Sequence, residues 1–223
     1  MTWTVIKSIL NASGVETDCV SALMAREDFW DSGETEIVGA VAYLHKHERS
    51  SEAVVLSRGI EDRNFALSGP SQMQFWFIKA DALHEVGDFA SAAKVYDAIL
   101  EYEPSDIAFA NRALAKWEMK DYKSALIDYL EATKLNPSNA IAYRGLGEML
   151  LKLDKAGEAI PYLKRAVELD SEYAAAYREL GIAYYNNKDW VDAYKALKIA
   201  LRLEPGDRIA AKGIEKIERH FEL

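Results

Sequence analysis

With a single cysteine in 223 residues, no disulfide can close within one chain. Without a cluster of cysteine and histidine, a structural zinc is not expected either. Prolines number five and glycines twelve, too few to supply the turns of a many-stranded β architecture. No apolar run reaches the roughly 18 residues that a membrane-spanning helix needs. Basic excess is missing as well, because 27 Lys and Arg face 36 Asp and Glu for a net charge of −9. Nucleic acids and anionic membrane surfaces are held by clustered positive charge, so neither is an expected partner. Near the N-terminus Lys7 interrupts the apolar Val5, Ile6, Ile9 and Leu10, and no basic residue precedes them, unlike a secretory signal. The sequon Asn11-Ala12-Ser13 therefore has no exported context, and a reducing, cytoplasmic setting is expected.

What is present is apolar material and a period. Half the residues are hydrophobic and 11% aromatic, ample for a core. Charge is unevenly placed: residues 1–105 carry 8 basic and 17 acidic side chains, whereas residues 106–223 carry 19 of each. Ala92, Ala125, Ala159 and Ala193 are spaced by 33, 34 and 34 residues. Tyr96, Tyr129, Leu163 and Leu197 keep the same steps, and so do Ala80, Ala113, Gly147 and Gly181. Pro104, Pro137 and Pro205 fall on the same period. A shared period at independent positions is the mark of a repeat architecture.

These positions resemble the tetratricopeptide repeat, in which Trp-x2-Leu-Gly-x2-Tyr on a first helix is followed by Ala-x3-Phe on a second and then by Pro. The clearest copy, 174–207, has Tyr177, Leu180-Gly181, Tyr184, Ala193, Leu197, Ala200 and Pro205. Three more copies read as 73–106, 107–139 and 140–173, with Ser171 in place of the closing proline of the last. The resemblance implies an all-α, right-handed superhelical solenoid of antiparallel helix pairs, with about thirteen helices. Small residues at the closest approach of each pair let the two backbones come together, large residues fill the space beside that contact, and stacked pairs bury faces that one pair cannot. Residues 208–223 read as a capping helix. Residues 1–72 read as an irregular helical part: helices at 2–10 and 17–30, one degenerate repeat at about 34–67, and a loop over Asn64–Gln72 containing Gly69-Pro70.

The copy at 107–139 is one residue short, and the gap can fall in its internal turn or before its first helix. The first placement sends Ala110, Ala113, Leu114 and Trp117 to the core. The second sends Phe109, Ala113 and Lys116 inward and matches an Asn-Arg-Ala run common in the family. Asn111 borders the groove in both.

First helices of such pairs line a concave surface, and their outward positions give candidate contacts. They are Gln74, Phe77, Asp81 and His84 in the first copy, Ile141, Arg144, Glu148 and Leu151 in the third, and Ala175, Arg178, Ile182 and Tyr185 in the fourth. We take Phe77, Asp81, Asn111, Arg144, Glu148, Arg178, Ile182 and Tyr185 as the peptide-binding set. Arg144 can equally pair with Glu148 at i+4 on its own helix. Co-chaperone members of the family grip a chaperone's terminal carboxylate with a basic and amide clamp. Here Phe77 and Asp81 stand where a lysine and an asparagine would be needed, and an aspartate repels that ligand. If the arginines serve only the ligand, Arg144→Ala with Arg178→Ala weakens capture and leaves the melting temperature nearly unchanged. The acidic Asp81 and Glu85 at one end and the arginines further along would give a bound segment a preferred direction.

Catalytic and metal residues are not expected. His45 and His47 at i and i+2 face different ways on a helix, unlike metal ligands at i and i+4. Gly145-Leu146-Gly147 imitates half a phosphate loop but lies inside a repeat helix, and Cys19 reads as a small hydrophobe. The expected function is a non-catalytic protein- or peptide-binding adaptor or chaperone-like subunit, with no cofactor. The alternative is a self-assembling scaffold whose groove is filled by its own N-terminal helix or by a second copy in a homo-oligomer, which the apolar stripe of Trp3, Ile6 and Leu10 permits. A third reading is an enzyme or the regulatory subunit of one.

Overall fold

The computed structural model describes residues 1–11 and 19–221, so the sequon beyond Asn11 and the side chains of Trp3, Cys19 and Phe221 lie outside the described residues. Among the described residues there are fourteen α-helices and no strand. The count exceeds the expected thirteen because the segment read as one helix at 17–30 is two, α2 (Cys19–Met24) and α3 (Glu27–Trp30). Between them Arg26 is extended, with its guanidinium 3.0 Å from Asp28. The Trp30 indole N–H donates to the Met24 carbonyl at 2.8 Å, partnering an oxygen that the end of α2 leaves without a helical N–H.

The chain forms two compact units, Met1–Glu103 and Pro104–Leu223. This boundary lies well past the expected junction at 72/73, and it places the first regular copy with the irregular part. In the first unit α1 (Trp3–Asn11) packs against α2 and α4 (Glu34–Lys46). Helix α4 in turn meets α5 (Ser50–Asp62) and α6 (Gly69–Glu85), and α7 (Phe89–Tyr102) pairs with α6. Ile6 and Leu10 are fully buried there, beside a core that includes Leu23, Phe29, Ile37 and Leu44. Ile6 and Leu10 of the apolar stripe are thus covered within their own unit. The loop expected at Asn64–Gln72 is shorter, because α6 begins at Gly69 with Pro70 in its first turn. There a missing N–H has no helical partner to lose.

The second unit consists of three helix pairs and a lid. The pairs are α8 (Asp106–Glu118) with α9 (Tyr122–Leu135), α10 (Ala140–Lys152) with α11 (Ala156–Leu169), and α12 (Ala174–Asn186) with α13 (Trp190–Leu203), followed by α14 (Arg208–Phe221). A Cβ on Gly147 would lie 2.3 Å from Leu163, and one on Gly181 would lie 2.6 Å from Leu197. The period seen in the sequence is therefore a repeated close approach between paired helices. Along the stack, first helices touch first helices, α8 to α10 and α10 to α12, and α12 touches the lid α14.

One turn recurs in both units. Three residues join the helices of each of five pairs, and the middle one is left-handed: Glu48, Gly87, Lys120, Asp154 and Lys188, with φ between 59° and 81°. The next N–H then donates back across the turn at 2.9 Å, from Arg49, Asp88, Asp121, Lys155 and Asp189 to Leu44, Leu83, Lys116, Leu150 and Tyr184. This is the hydrogen bond with which a left-handed residue closes a helix end. Because the internal turn of the short copy has the usual length, its missing residue falls before α8, where 103–105 replaces the four-residue connections seen elsewhere in the second unit. Ala110 and Ala113 are buried with Phe109 and Trp117 packed on them, while Leu114 is exposed.

Candidate functional site

In the second unit the side chains on the first helices form a chain of charges. Arg144 of α10 donates from Nη1 to Glu148 at 3.0 Å, one turn along its own helix, and to Glu179 of α12 at 2.7 Å. Its guanidinium also lies 5.8 Å from the centre of the Tyr173 ring. One pair further on, Arg178 donates to Asp207 at 3.1 Å and lies 3.8 Å from Glu179. Asp207 itself caps α14 by accepting the N–H groups of Ile209 and Ala210. The Glu179 and Asp207 side chains are only 8% and 2% exposed, so this ladder is interior.

Burial sets the electrostatics. It pushes the Glu179 carboxyl up to about 7, with Arg144 opposing and Glu148 reinforcing the shift. For Arg144 burial works against its charge, yet the carboxylates of Glu179 and Glu148 outweigh it and raise the pKa further. Two buried atoms of the pair, Arg144 Nε and Glu179 Oε2, have no partner among the described residues. Arg144 and Arg178 therefore tie successive helix pairs together, and removing both would unpair a buried Glu179. An unchanged melting temperature is not the outcome the structure implies.

A second interior cluster went unread in the sequence. Asp128 of α9, with its side chain 3% exposed, accepts from Arg112 at 2.7 and 2.9 Å and from Lys116 at 2.7 Å. The corresponding positions of the next copies hold Leu146 with Leu150 opposite Tyr162, and Leu180 with Tyr184 opposite Ala196. Setting the copies side by side reveals the exchange of apolar residues for an acid and two bases.

The remaining predicted residues divide by unit. In the first, Phe77 meets the Tyr96 ring edge-on at 6.3 Å, and Asp81 accepts the Tyr96 hydroxyl at 2.8 Å. Nearby, Glu85 accepts from the Ser50 hydroxyl and lies 3.5 Å from His45. His47 instead turns to the Tyr43 carbonyl at 2.8 Å, so the two histidines do not converge. No group of three metal-ligating side chains exists among the described residues. In the second unit Asn111 is part-exposed on α8 and makes no hydrogen bond among the described residues. Ile182 and Tyr185 line a cavity of about 280 Å³ beside α14. A Cβ on Gly145 would lie 2.4 Å from the Tyr129 ring, which accounts for the glycine that imitated a phosphate loop.

Family models described as tetratricopeptide repeat match residues 47–107 and 111–174, and 150–217. The chain belongs to the tetratricopeptide repeat family. Among curated proteins it is similar to the Protein STIP1 homolog of Dictyostelium discoideum, 31% identical over 107 residues, covering 48% of this chain and 19% of that protein. It is also similar to the small glutamine-rich tetratricopeptide repeat-containing protein 2 of Saccharomyces cerevisiae, 24% identical over 214 residues, covering 96% of this chain and 50% of that protein. The tetratricopeptide repeat chain thus spans between about a fifth and a half of these relatives. Among solved structures, YrrB, described as a TPR protein with an unusual peptide-binding site, superposes with a TM-score of 0.66 at 15% identity, covering 88% of this chain and 99% of that one. MamA does so at 0.61 and 25% identity, covering 65% of this chain and 85% of that one. Such likeness describes the fold. No described helix is long and apolar enough to cross a membrane.

Proposed function

We propose that the chain is a non-catalytic, cytoplasmic adaptor that holds a peptide segment of a partner protein against the first helices of its second unit. The carrying observation is Asn111, whose amide is part-exposed on α8 and hydrogen bonded to nothing among the described residues. A part-exposed amide offers both a donor and an acceptor to a passing backbone. The half-buried Ile182 and Tyr185 supply apolar contact on α12. Arg144, Glu148 and Arg178 act here as the frame under the peptide, their charges already mutually engaged. Phe77 and Asp81 are likewise engaged with Tyr96, and in this reading they shape the face of the first unit. Membership of the tetratricopeptide repeat family supports this role, because stacked repeats present an extended concave face suited to holding a partner segment.

A photo-crosslinking residue placed at position 111 tests this in the cell, with position 127 on α9 as its control, since Ile127 is 59% exposed on a second helix. Crosslinks to a discrete partner segment from 111 and not from 127 are expected. Equal labelling from both, or none from 111, overturns the reading.

A further inference from the structure

We propose that α14, besides closing the stack, completes a specificity pocket for one large apolar side chain of a peptide flanked by aspartate or glutamate. This rests on the peptide-binding reading above and extends it to the chemistry of the partner. The cavity of about 280 Å³ has Ile182 and Tyr185 of α12 on one wall and Ile209 and Gly213 of α14 on the other, over Leu197. The lid proper is a different face of α14, formed by the buried Ala210, Ile214 and Ile217. Ile209 lies off that face and is 57% exposed, an apolar side chain left largely open beside the cavity. Gly213 keeps the cavity open beside Leu197, whose Cδ1 would stand 2.7 Å from an added Cβ. The Tyr185 wall is braced by Trp190, whose ring meets it edge-on at 5.0 Å.

Charge selects the occupant. Lys212 and Lys216 line the same cavity one helical turn apart, and neither has an ion-pair partner among the described residues. Arg112, Lys116, Arg144 and Arg178 on the first helices of this unit are all paired with carboxylates. Two unpaired ammonium groups beside an apolar hollow therefore suit carboxylates that flank an apolar anchor. The size points the same way, because small-molecule sites run from ~300 to 1,000 Å³ and this cavity is smaller and open to one side. One large apolar side chain, together with the peptide backbone that carries it, suits a hollow of this size.

The test begins by selecting peptides from a random twelve-residue display library on the full chain. Their affinities are then measured by fluorescence polarisation for wild type, Lys212→Glu with Lys216→Glu, Ile209→Asp and Asn111→Ala. All four positions are exposed or half-exposed, and circular dichroism melts confirm that the variants fold. Enriched peptides are expected to carry Leu, Ile, Phe or Tyr within two residues of Asp or Glu. The double lysine reversal should weaken them by roughly tenfold or more, with binding falling as salt rises. Peptides that lack carboxylates, or that bind the lysine variant as well as wild type, overturn this pocket. If they still depend on Asn111, the groove reading stands alone, whereas a library yielding no binder sinks both. Light scattering that shows a dimer dissolved by the lysine reversals also overturns it, because a second copy is then the occupant.

Discussion

Inside the first unit the buried polar residues are the serines Ser32, Ser50 and Ser57, whereas inside the second they are the carboxylates Asp128, Glu179 and Asp207. Two ion pairs of the first unit, Arg26 with Asp28 and Lys79 with Glu61, keep at least one partner well exposed, and Arg49 with Glu52 is half-buried, so none of the three is interior. Exposed pairs contribute little, about 0–1 kcal/mol. The neutrality of the second unit is thus a structural matter. Its buried acids are matched by bases, with Arg144 and Arg178 connecting one helix pair to the next, while no described acid of the first unit is buried. Repeat stacking needs only nearest-neighbour contacts, and the second unit adds buried ion pairs to apolar seams such as Leu150 with Leu163 and Leu180.

The sharpest way to break that contrast is to remove one partner of a buried pair. Arg144→Ala should destabilise the second unit by up to about 3–5 kcal/mol at pH 8, since it strips the buried, charged Glu179 of its hydrogen-bonded partner and leaves only Arg178, 3.8 Å away, to oppose its charge. Trp190 fluorescence in a chain whose Trp3, Trp30, Trp76 and Trp117 are replaced by Phe would follow this unit. Arg26→Ala, in the first unit, should change little. A cost near zero for Arg144→Ala would dissolve the distinction. Next in size is Gly181→Leu, which drives a side chain into Leu197 at a closest helix approach and should cost about 1–3 kcal/mol or more. Urea denaturation read at Trp190 checks it, and wild-type stability would refute the packing role of the glycine.

The Glu179 carboxyl gives the contrast a pH signature. Burial raises its pKa from 4.5 to about 7, so the folded state holds a proton that the unfolded state releases. That contribution is complete below pH 4.5, declines between 4.5 and 7, and is lost above 7. The second unit should therefore melt at a falling temperature across this window, and Glu179→Gln should flatten its slope. Protonation also removes the buried charge, so the penalty of Arg144→Ala should shrink toward pH 5. A slope identical in wild type and Glu179→Gln would contradict the assignment.

How much of this was legible in the sequence follows from what each feature requires. Helix pairing was readable at Ala80, Ala113, Gly147 and Gly181 because the same steric demand recurs every 33 or 34 residues. The Arg144–Glu148 pair was readable because four residues make one helical turn. Glu179 lies 35 residues from Arg144, where only the stacking of pairs brings them together, and so the ladder was not readable. Asp128 was hidden for a different reason, since it departs from the apolar residues that its own repeat partners carry. The unit boundary after Glu103 left no mark except charge, for the acidic excess ends where the first unit does.

The smallest effect concerns the recurring turn, which is the same in both units but built from different residues. In the first unit the left-handed position is held by Glu48 in one pair and by Gly87 in the other, with nothing within 4 Å of a Cβ added at Gly87. In the second it is held by non-glycine residues throughout, Lys188 among them with φ at 69°. A residue with a Cβ is strained in that region by roughly 1–2 kcal/mol, while glycine loses more freedom on folding. The two terms nearly offset, leaving about 0.5–1 kcal/mol in favour of glycine. Lys188→Gly should then stabilise the second unit by that amount, and Gly87→Ala should destabilise the first by about as much. Urea midpoints at unchanged slope would show both. Opposite signs from one turn in two units would mean that the backbone geometry, not the sequence at that position, is what the repeat maintains. Equal signs would assign the effect to side-chain contacts instead.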